Sequence, residues 1–141
     1  MSYAILRFEK LKARWGEKSL GGSAKHTFRE QETHNADPTR EIKTTFGAAS
    51  SIAVVDALNE RLATVKTVRK NAVLAIEYFV GMSPEFFTNN SDVEGYFLEA
   101  EKWLIDRHGV DNVLSIVRHY DETTPHLVAY VVPIDTRGKL N

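Results

Sequence analysis

Two histidines, His119 and His126, bracket Asp121, Glu122 and Pro125 in the stretch HYDETTPHLVAYVVP that runs from His119 to Pro133. Imidazoles are good ligands for a divalent ion, and the carboxylates between them can add an oxygen ligand or serve as a general base. The chain has no cysteine, so thiolate sites and disulfides are excluded and any metal must be held by His, Asp or Glu. Spacing decides whether these groups can meet. Val113 to Val117 and Leu127 to Val132 are short runs of strand-forming residues, so the polar cluster falls at the turn of a β-hairpin, at one end of a sheet. Alternation puts His126, Val128 and Tyr130 on one face and Leu127, Ala129 and Val131 on the other. His119 shares its face with Val117 and Ser115, and a register that pairs the strand ends brings His119 beside His126. Pro125 fixes φ just before His126 and stiffens the turn. Turns are rich in Asp, Glu, Thr and Pro for conformational reasons alone, so this spacing is less specific than an H-E-x-x-H pair on a helix.

The elements that must position this cluster follow from the rest of the chain. Ser2 to Phe8 alternates as an opening strand, and Gly16 and Gly21-Gly22 break the chain after it. Ser23 is the expected N-cap of a helix through Glu30, with His26, Arg29 and Glu30 on one face. On that reading His26 lies within about one turn of the helix N-terminus, where backbone N–H groups favour a phosphate. Thr33 to Pro38 reads as a loop and Arg40 to Phe46 as an extended connection. Ser50 or Ser51 caps a helix through Leu62. Ala72 to Val80 reads as a largely buried central strand in which Glu77 is the one charge. Ser83-Pro84-Glu85 starts a helix, Asp92 caps a longer one through His108, and Gly109 ends it. Strands Val113 to His119 and His126 to Ile134 close the chain. The pattern predicts an α+β fold, an antiparallel sheet flanked by helices.

The 141 residues suit one domain, and 43% hydrophobic with 26% charged residues is the composition of a globular protein. No targeting segment is visible and no apolar run approaches the ~18 residues of a spanning helix, so a cytoplasmic location is expected. Net charge is −1, but unevenly spread. Arg7, Lys10, Lys12, Arg14, Lys18, Lys25 and Arg29 dominate the first thirty residues, Arg61, Lys66, Arg69 and Lys70 form a second basic cluster, and Glu85 to Asp111 is acidic. Such asymmetry can put phosphate contacts on one face, although a solvated surface can carry the same pattern.

The string from His119 to His126, followed by Val132-Pro133, resembles the metal motif of the Mob/Pre (MobV) plasmid mobilisation relaxases. Met1-Ser2-Tyr3-Ala4 with Arg7 is similar to that family's opening strand, Leu20 to His26 with Arg29 to its histidine motif, and Arg69 to Leu74 to its central strand. The resemblance spans nearly the whole chain, with the motifs in order. It implies an antiparallel sheet of the His-hydrophobic-His endonuclease type, residues 1–141 being a relaxase domain at the N-terminus of a longer protein. It further implies metal-dependent nicking and rejoining of one strand at a plasmid origin of transfer, with Mn2+ or Mg2+. His26 matches the family's nucleophile, which forms a histidine-DNA phosphoramidate. The implied metal ligands are His119, His126 and Glu122, and Glu122 also accepts or relays a proton. Arg7, Lys25 and Arg29 are expected to neutralise the phosphate, and Lys66, Arg69 and Lys70 to hold the flanking strand. The expected partners are origin DNA, single-stranded and hairpin, a second copy through a C-terminal region beyond this chain, and conjugation coupling machinery. One departure stands out: many relatives carry another histidine where this chain has Val128, so a carboxylate, Glu122 first and Asp121 second, is expected to complete the site. A tyrosine found in some relatives is absent from Lys43-Thr44-Thr45-Phe46, consistent with His26. The rival readings are a replication initiator or transposase using Tyr120 or Tyr130, and a non-catalytic origin-binding module.

Overall fold

The computed structural model describes residues 4–31, 41–88, 92–122 and 124–140. Strand β1, Ala4–Leu11, is followed by helix α1, Leu20–Thr27, strand β2, Ile42–Gly47, and helix α2, Ser51–Leu62. Strand β3, Ala75–Met82, leads into a short helix α3, Pro84–Thr88, then helix α4, Val93–His108, and the hairpin strands β4, Val113–His119, and β5, His126–Val131. All pairings are antiparallel and the sheet order is β1-β3-β5-β4-β2. The expected α+β class, an antiparallel sheet flanked by helices, is what forms.

Alternation along β5 separates two cores. Val128, Tyr130 and Val132 pack with Leu20 and Ala24 of α1 and Val54, Val55 and Leu58 of α2. Leu127, Ala129 and Val131 pack with Phe97 and Leu104 of α4. The register lays residues of the α1 face in rows across the sheet. His119, His126, Gly81 and Ile5 form the first row, Val117, Val128, Phe79 and Arg7 the second, and Ser115, Tyr130, Glu77 and Glu9 the third. On the opposite face Arg118 is buried under α4 and donates to both oxygens of Glu101, at 2.9 and 2.8 Å, and to Glu94 at 2.6 Å. The Glu101 bonds first, and then Tyr120, raise the guanidinium pKa further above its ordinary value against the opposing effect of burial.

Several boundaries differ from expectation. The Ser2 to Phe8 strand begins, within the described residues, at Ala4 and continues to Leu11; the Thr33 to Pro38 loop lies outside them. β3 begins at Ala75 rather than Ala72, and it is β5 that occupies the middle of the sheet. β5 ends at Val131 rather than Ile134. The extended segment near Arg40 to Phe46 is an edge strand, paired with β4 through a register shift between Thr44 and Phe46. Ser50, Asp92 and Gly109 cap as expected.

The largest correction is to α1. Its N-cap is Ser19, not Ser23: the Ser19 hydroxyl accepts from the Gly22 N–H at 2.9 Å. Gly21 and Gly22 therefore lie inside the first turn instead of breaking the chain. Glycine is required at position 21 because a Cβ there would fall on the Trp15 ring and 2.7 Å from the Arg14 carbonyl oxygen. The helix ends at Thr27, and His26 sits in its last turn, away from the N-terminal donors expected to frame it.

Candidate active site

The hairpin register pairs His119 with His126, and their rings meet edge to face with Nδ1 of His119 3.0 Å from Nε2 of His126. The Nδ1–H of His126 donates to the Thr124 carbonyl at 3.2 Å, which leaves its Nε2 lone pair turned toward His119. Phe79 stacks beneath His126, centroids 4.7 Å apart and 24° from parallel, and Arg7 lies 4.6 Å over the same Phe79 ring. Gly81 occupies the next place in that row and leaves the space above it free of a side chain. Both histidines are buried, and burial is the main reason both lose affinity for protons. His119, which also faces His126 and Arg29, is pushed down to about 3.

Arg29 ties this hairpin to the end of α1. It adopts a left-handed φ of 56° just after the helix and turns its guanidinium into the hairpin turn. There it donates to both oxygens of Asp121, at 2.7 and 2.9 Å, and to Glu122 Oε1 at 3.1 Å, and its NH2 group lies 3.3 Å from Nδ1 of His119. Asp121 is 4% exposed. Burial works to raise its carboxyl pKa, but the Arg29 hydrogen bonds and charge outweigh it and hold the group below the ordinary aspartate value. The Arg29 pKa is raised in return, chiefly by the Asp121 bond. Glu122 is left partly open, with Oε2 3.6 Å from Nε2 of His126.

Whether these groups suit a divalent ion can be tested on their lone pairs. Two imidazoles cis on one ion, at about 2.1 Å each, place their nitrogens roughly 3.0 Å apart, which is the separation of Nδ1 of His119 and Nε2 of His126. An ion would sit where these two nitrogens converge. Nε2 of His119 is buried without a hydrogen-bond partner. Glu122 is the carboxylate free to approach, because Asp121 has both oxygens committed to Arg29. Among the described residues no three His, Asp or Glu side chains are already gathered as a full ligand set. The pair with Glu122 fits an ion whose remaining positions are filled from outside the chain.

His26 opens onto the same cleft, about 420 Å3, as His119, Glu122 and His126. Val128 lines it too, two residues after His126 on the same face, where it joins the apolar core instead of offering a donor. Arg7 is exposed at the edge of this face, and Lys25 is exposed with its Nζ 5.5 Å over the Trp15 ring. Lys66, Arg69 and Lys70 are exposed elsewhere. Lys66 and Arg69 line a groove of about 770 Å3 together with Arg137 and Lys139, beyond the end of β5 and before the start of β3, the opposite end of the sheet from His126. Arg61 is not part of that groove's lining and donates to Asn112 at 2.7 Å.

Sequence reasoning missed Arg137 and Lys139, in and just after a turn far along the chain from the other basic residues. It also gave Glu77 no role. The carboxylate lies in the His26 cleft, accepts from the Ser23 hydroxyl, and stands beside Tyr130, whose OH meets Ser23 at 2.7 Å and Thr27 at 2.6 Å. The available signal was a lone charge in an apolar strand.

A family model described as plasmid recombination enzyme, Mob_Pre, matches residues 1–141. The chain belongs to the Mob_Pre family. Among curated proteins, this Mob_Pre chain is 37% identical over 147 residues to a 65 kDa protein of Zymomonas mobilis subsp. mobilis, covering 99% of the chain and 25% of the relative. It is 31% identical over 152 residues to a plasmid recombination enzyme of Streptococcus agalactiae, covering 100% of the chain and 30% of the relative. The chain thus spans less than a third of the length of either relative. Among solved structures, the Mn-bound MobM relaxase domain (MOBV; Mob_Pre) in complex with 22 nucleotides of plasmid pMV158 oriT DNA superposes with a TM-score of 0.83 at 27% identity, over 99% of this chain and 74% of that one.

Proposed function

We propose that this Mob_Pre chain is the catalytic part of a relaxase that nicks and rejoins one DNA strand at a plasmid origin of transfer, with His26 as nucleophile. The observation that carries the reading is the meeting, over one cleft, of His26 from α1 with the neutral pair His119 and His126 and the carboxylate of Glu122. The MobM domain bound to origin DNA supports the substrate class.

A divalent ion, Mn2+ or Mg2+, held by His119, His126 and Glu122 would supply Lewis-acid polarisation of the scissile phosphate. The chain's own groups do the rest. A neutral His26 offers one lone-pair nitrogen to phosphorus, in line with the leaving sugar oxygen. Arg7 and Lys25, both exposed, would neutralise the phosphate charge. Arg29 holds the hairpin turn through Asp121, so its contribution to the phosphate is indirect, through the position of Glu122 and His119. Glu122 relays a proton to or from the leaving group. Lys66, Arg69 and Lys70, joined by Arg137 and Lys139, would hold flanking DNA, including a hairpin stem, by phosphate contacts.

Tyrosine chemistry is disfavoured by placement. Tyr130 is fully buried, and burial raises its hydroxyl pKa. Tyr120 faces α4, donating to Glu94 at 2.6 Å. Among the described residues no helix is long and apolar enough to cross a membrane, which fits action in the cytoplasm. A second copy and the coupling machinery are the further partners expected of such an enzyme.

The test is incubation with an oligonucleotide carrying the origin of the chain's own plasmid, with Mn2+. Nicking should leave a covalent adduct that is lost in acid and survives mild base, and His26→Ala should abolish it. Nicking retained by His26→Ala, or an adduct mapped to Tyr120 or Tyr130, would remove His26 from the role.

A further inference from the structure

Trp15 is 45% exposed and leans on α1, the helix that carries His26. The other exposed aromatic rings among the described residues, Phe8 and Trp103, flank Tyr78 on the α4 side of the sheet. Trp15 belongs to the bend between β1 and α1, and that bend is tied to the helix. The Leu20 N–H donates to the Ala13 carbonyl at 2.9 Å, the Gly21 N–H to the Arg14 carbonyl at 2.7 Å, and the Ser19 hydroxyl to the Gly16 carbonyl at 2.7 Å. The indole then lies where a side chain at position 21 would stand. Further along the bend, Lys18 takes a left-handed φ of 51° and lines the His26 cleft. One turn along the helix from Gly21, Lys25 brings its Nζ 5.5 Å over the Trp15 ring, and His26 is the next residue.

Resting on the proposed relaxase reading, we infer that Trp15 is a stacking platform for an unpaired base of the DNA strand, close to the phosphate that His26 attacks. An indole presents the broadest aromatic face of any side chain, and every base has a face to lay on it. Binding of single strands pairs such stacking with cations that track the backbone. The bend from Lys12 to Ser19 exposes Lys12, Arg14 and Lys18 against one carboxylate, Glu17, and Lys25 adds a fourth cation from α1. Phosphates on either side of a stacked base therefore meet positive charge. Lys25 has two places to rest: over the indole in the free protein, and on a phosphate once a base takes the ring.

The ring is held for contact rather than buried for stability. An indole serving the core would lie inside it, yet nearly half of this one faces water. Its seat demands glycine at position 21, in an eight-residue helix whose first turn glycine weakens. Arg14 donates from Nε to Asn59 of α2 at 2.6 Å, so the bend is fastened to two helices and the ring loses little freedom when a base lands on it. A stacked base also answers a need of the proposed reaction. Phosphate contacts alone let a strand slide along its own axis, and one base seated on a fixed ring sets which phosphate faces His26.

Fluorescence tests this on the chain with Trp103→Phe, in which Trp15 is the sole remaining indole. Titration with the single-stranded origin oligonucleotide should quench Trp15 emission until binding saturates, as followed by anisotropy of a labelled strand, and a blunt duplex should leave it unquenched. Abasic sites placed one at a time around the nick should abolish the quench at one position. In the otherwise wild-type chain, Trp15→Leu should bind the intact oligonucleotide about tenfold more weakly, the lower end for one stacked base, with unchanged thermal unfolding, and Trp15→Phe should recover most of that loss. The same abasic site should weaken binding by the wild type but not by Trp15→Leu. No quench at saturation, an equal quench by the duplex, wild-type affinity in Trp15→Leu, or an abasic site that weakens both proteins alike overturns the inference. So does a weak Leu variant that has lost stability and that Phe does not rescue. If the wild type forms its His26 adduct alongside any of these failures, the relaxase reading stands; a wild type that forms no adduct sinks that reading itself.

Discussion

Arg29 offers the sharpest test of how the two halves of the site are joined. It makes two hydrogen bonds to Asp121, whose side chain is 5% exposed, and its own side chain is 15% exposed. Arg29→Ala removes the cation that Asp121 pairs with among the described residues and leaves the aspartate desolvated beside two imidazoles that burial keeps neutral. Removing one member of a buried pair typically costs 3–5 kcal/mol, and a pair at the mouth of a cleft belongs at the lower end, about 3 kcal/mol. For a chain of this size that is a fall in Tm of roughly 10 °C. Removing both members is far milder, because no charge is stranded. Arg29→Ala/Asp121→Ala should therefore recover most of the loss, a coupling of about 2 kcal/mol in a double-mutant cycle read by denaturant unfolding. The pH dependence has a definite sign. The folded-state pKa of Asp121 is depressed, so its contribution is present above the ordinary aspartate pKa near 4 and is lost as pH falls through the lower folded value. The gap between wild type and Arg29→Ala should be constant near pH 7 and close below about pH 4. If Arg29→Ala is as stable as wild type at pH 7, or the double variant is no better than the single one, the ion pair does not fasten α1 to the hairpin.

Three further outcomes are expected. Val128→His adds an imidazole two residues from His126 on the cleft side, and should tighten Mn2+ roughly tenfold, the lower scale of tuning at metal sites, while costing about 1–3 kcal/mol of apo stability for a buried unpaired ring; calorimetry with an unchanged Kd would contradict the placement of Val128 at the metal face. Arg137→Ala with Lys139→Ala should weaken binding of an origin hairpin and lower the slope of log K against log salt by about 2 if each meets one phosphate; an unchanged slope by fluorescence anisotropy would take the groove out of DNA binding. Ser19→Ala should destabilise by about 1 kcal/mol through the lost cap, whereas a true cap at Ser23 would leave Ser19→Ala neutral in thermal melts.

What could be read from sequence was local. The hairpin, its parity and the meeting of His119 with His126 follow from period-two alternation and a short turn, so a few neighbouring residues specify them. Capping at Ser50, Asp92 and Gly109 is local for the same reason. Failures came where a distant partner decides the outcome. Gly21-Gly22 reads as a break because glycine weakens helices, yet the pair lies inside one, where a side chain at 21 would meet the Trp15 ring and one at 22 the Gly16 carbonyl oxygen. Arg29 reads as a free phosphate ligand until Asp121, 92 residues later, is found to hold it. Glu77 is a lone charge in its strand, and its partner Ser23 is 54 residues away.

The strand order has a consequence for motion. β5, which carries His126, is the innermost strand, flanked by β3 and β4, so its amides should exchange with solvent only in near-global opening. His26 belongs to an eight-residue helix containing two glycines, fastened to the sheet by hydroxyls and one arginine. Its amides should exchange through cheaper, local excursions. The two parts of the proposed centre should therefore open on different clocks, the histidine pair of the hairpin more rarely than the helix that carries His26. In hydrogen exchange the protection of Ala24 to Thr27, rather than that of the hairpin, should track how long the complete centre stays assembled.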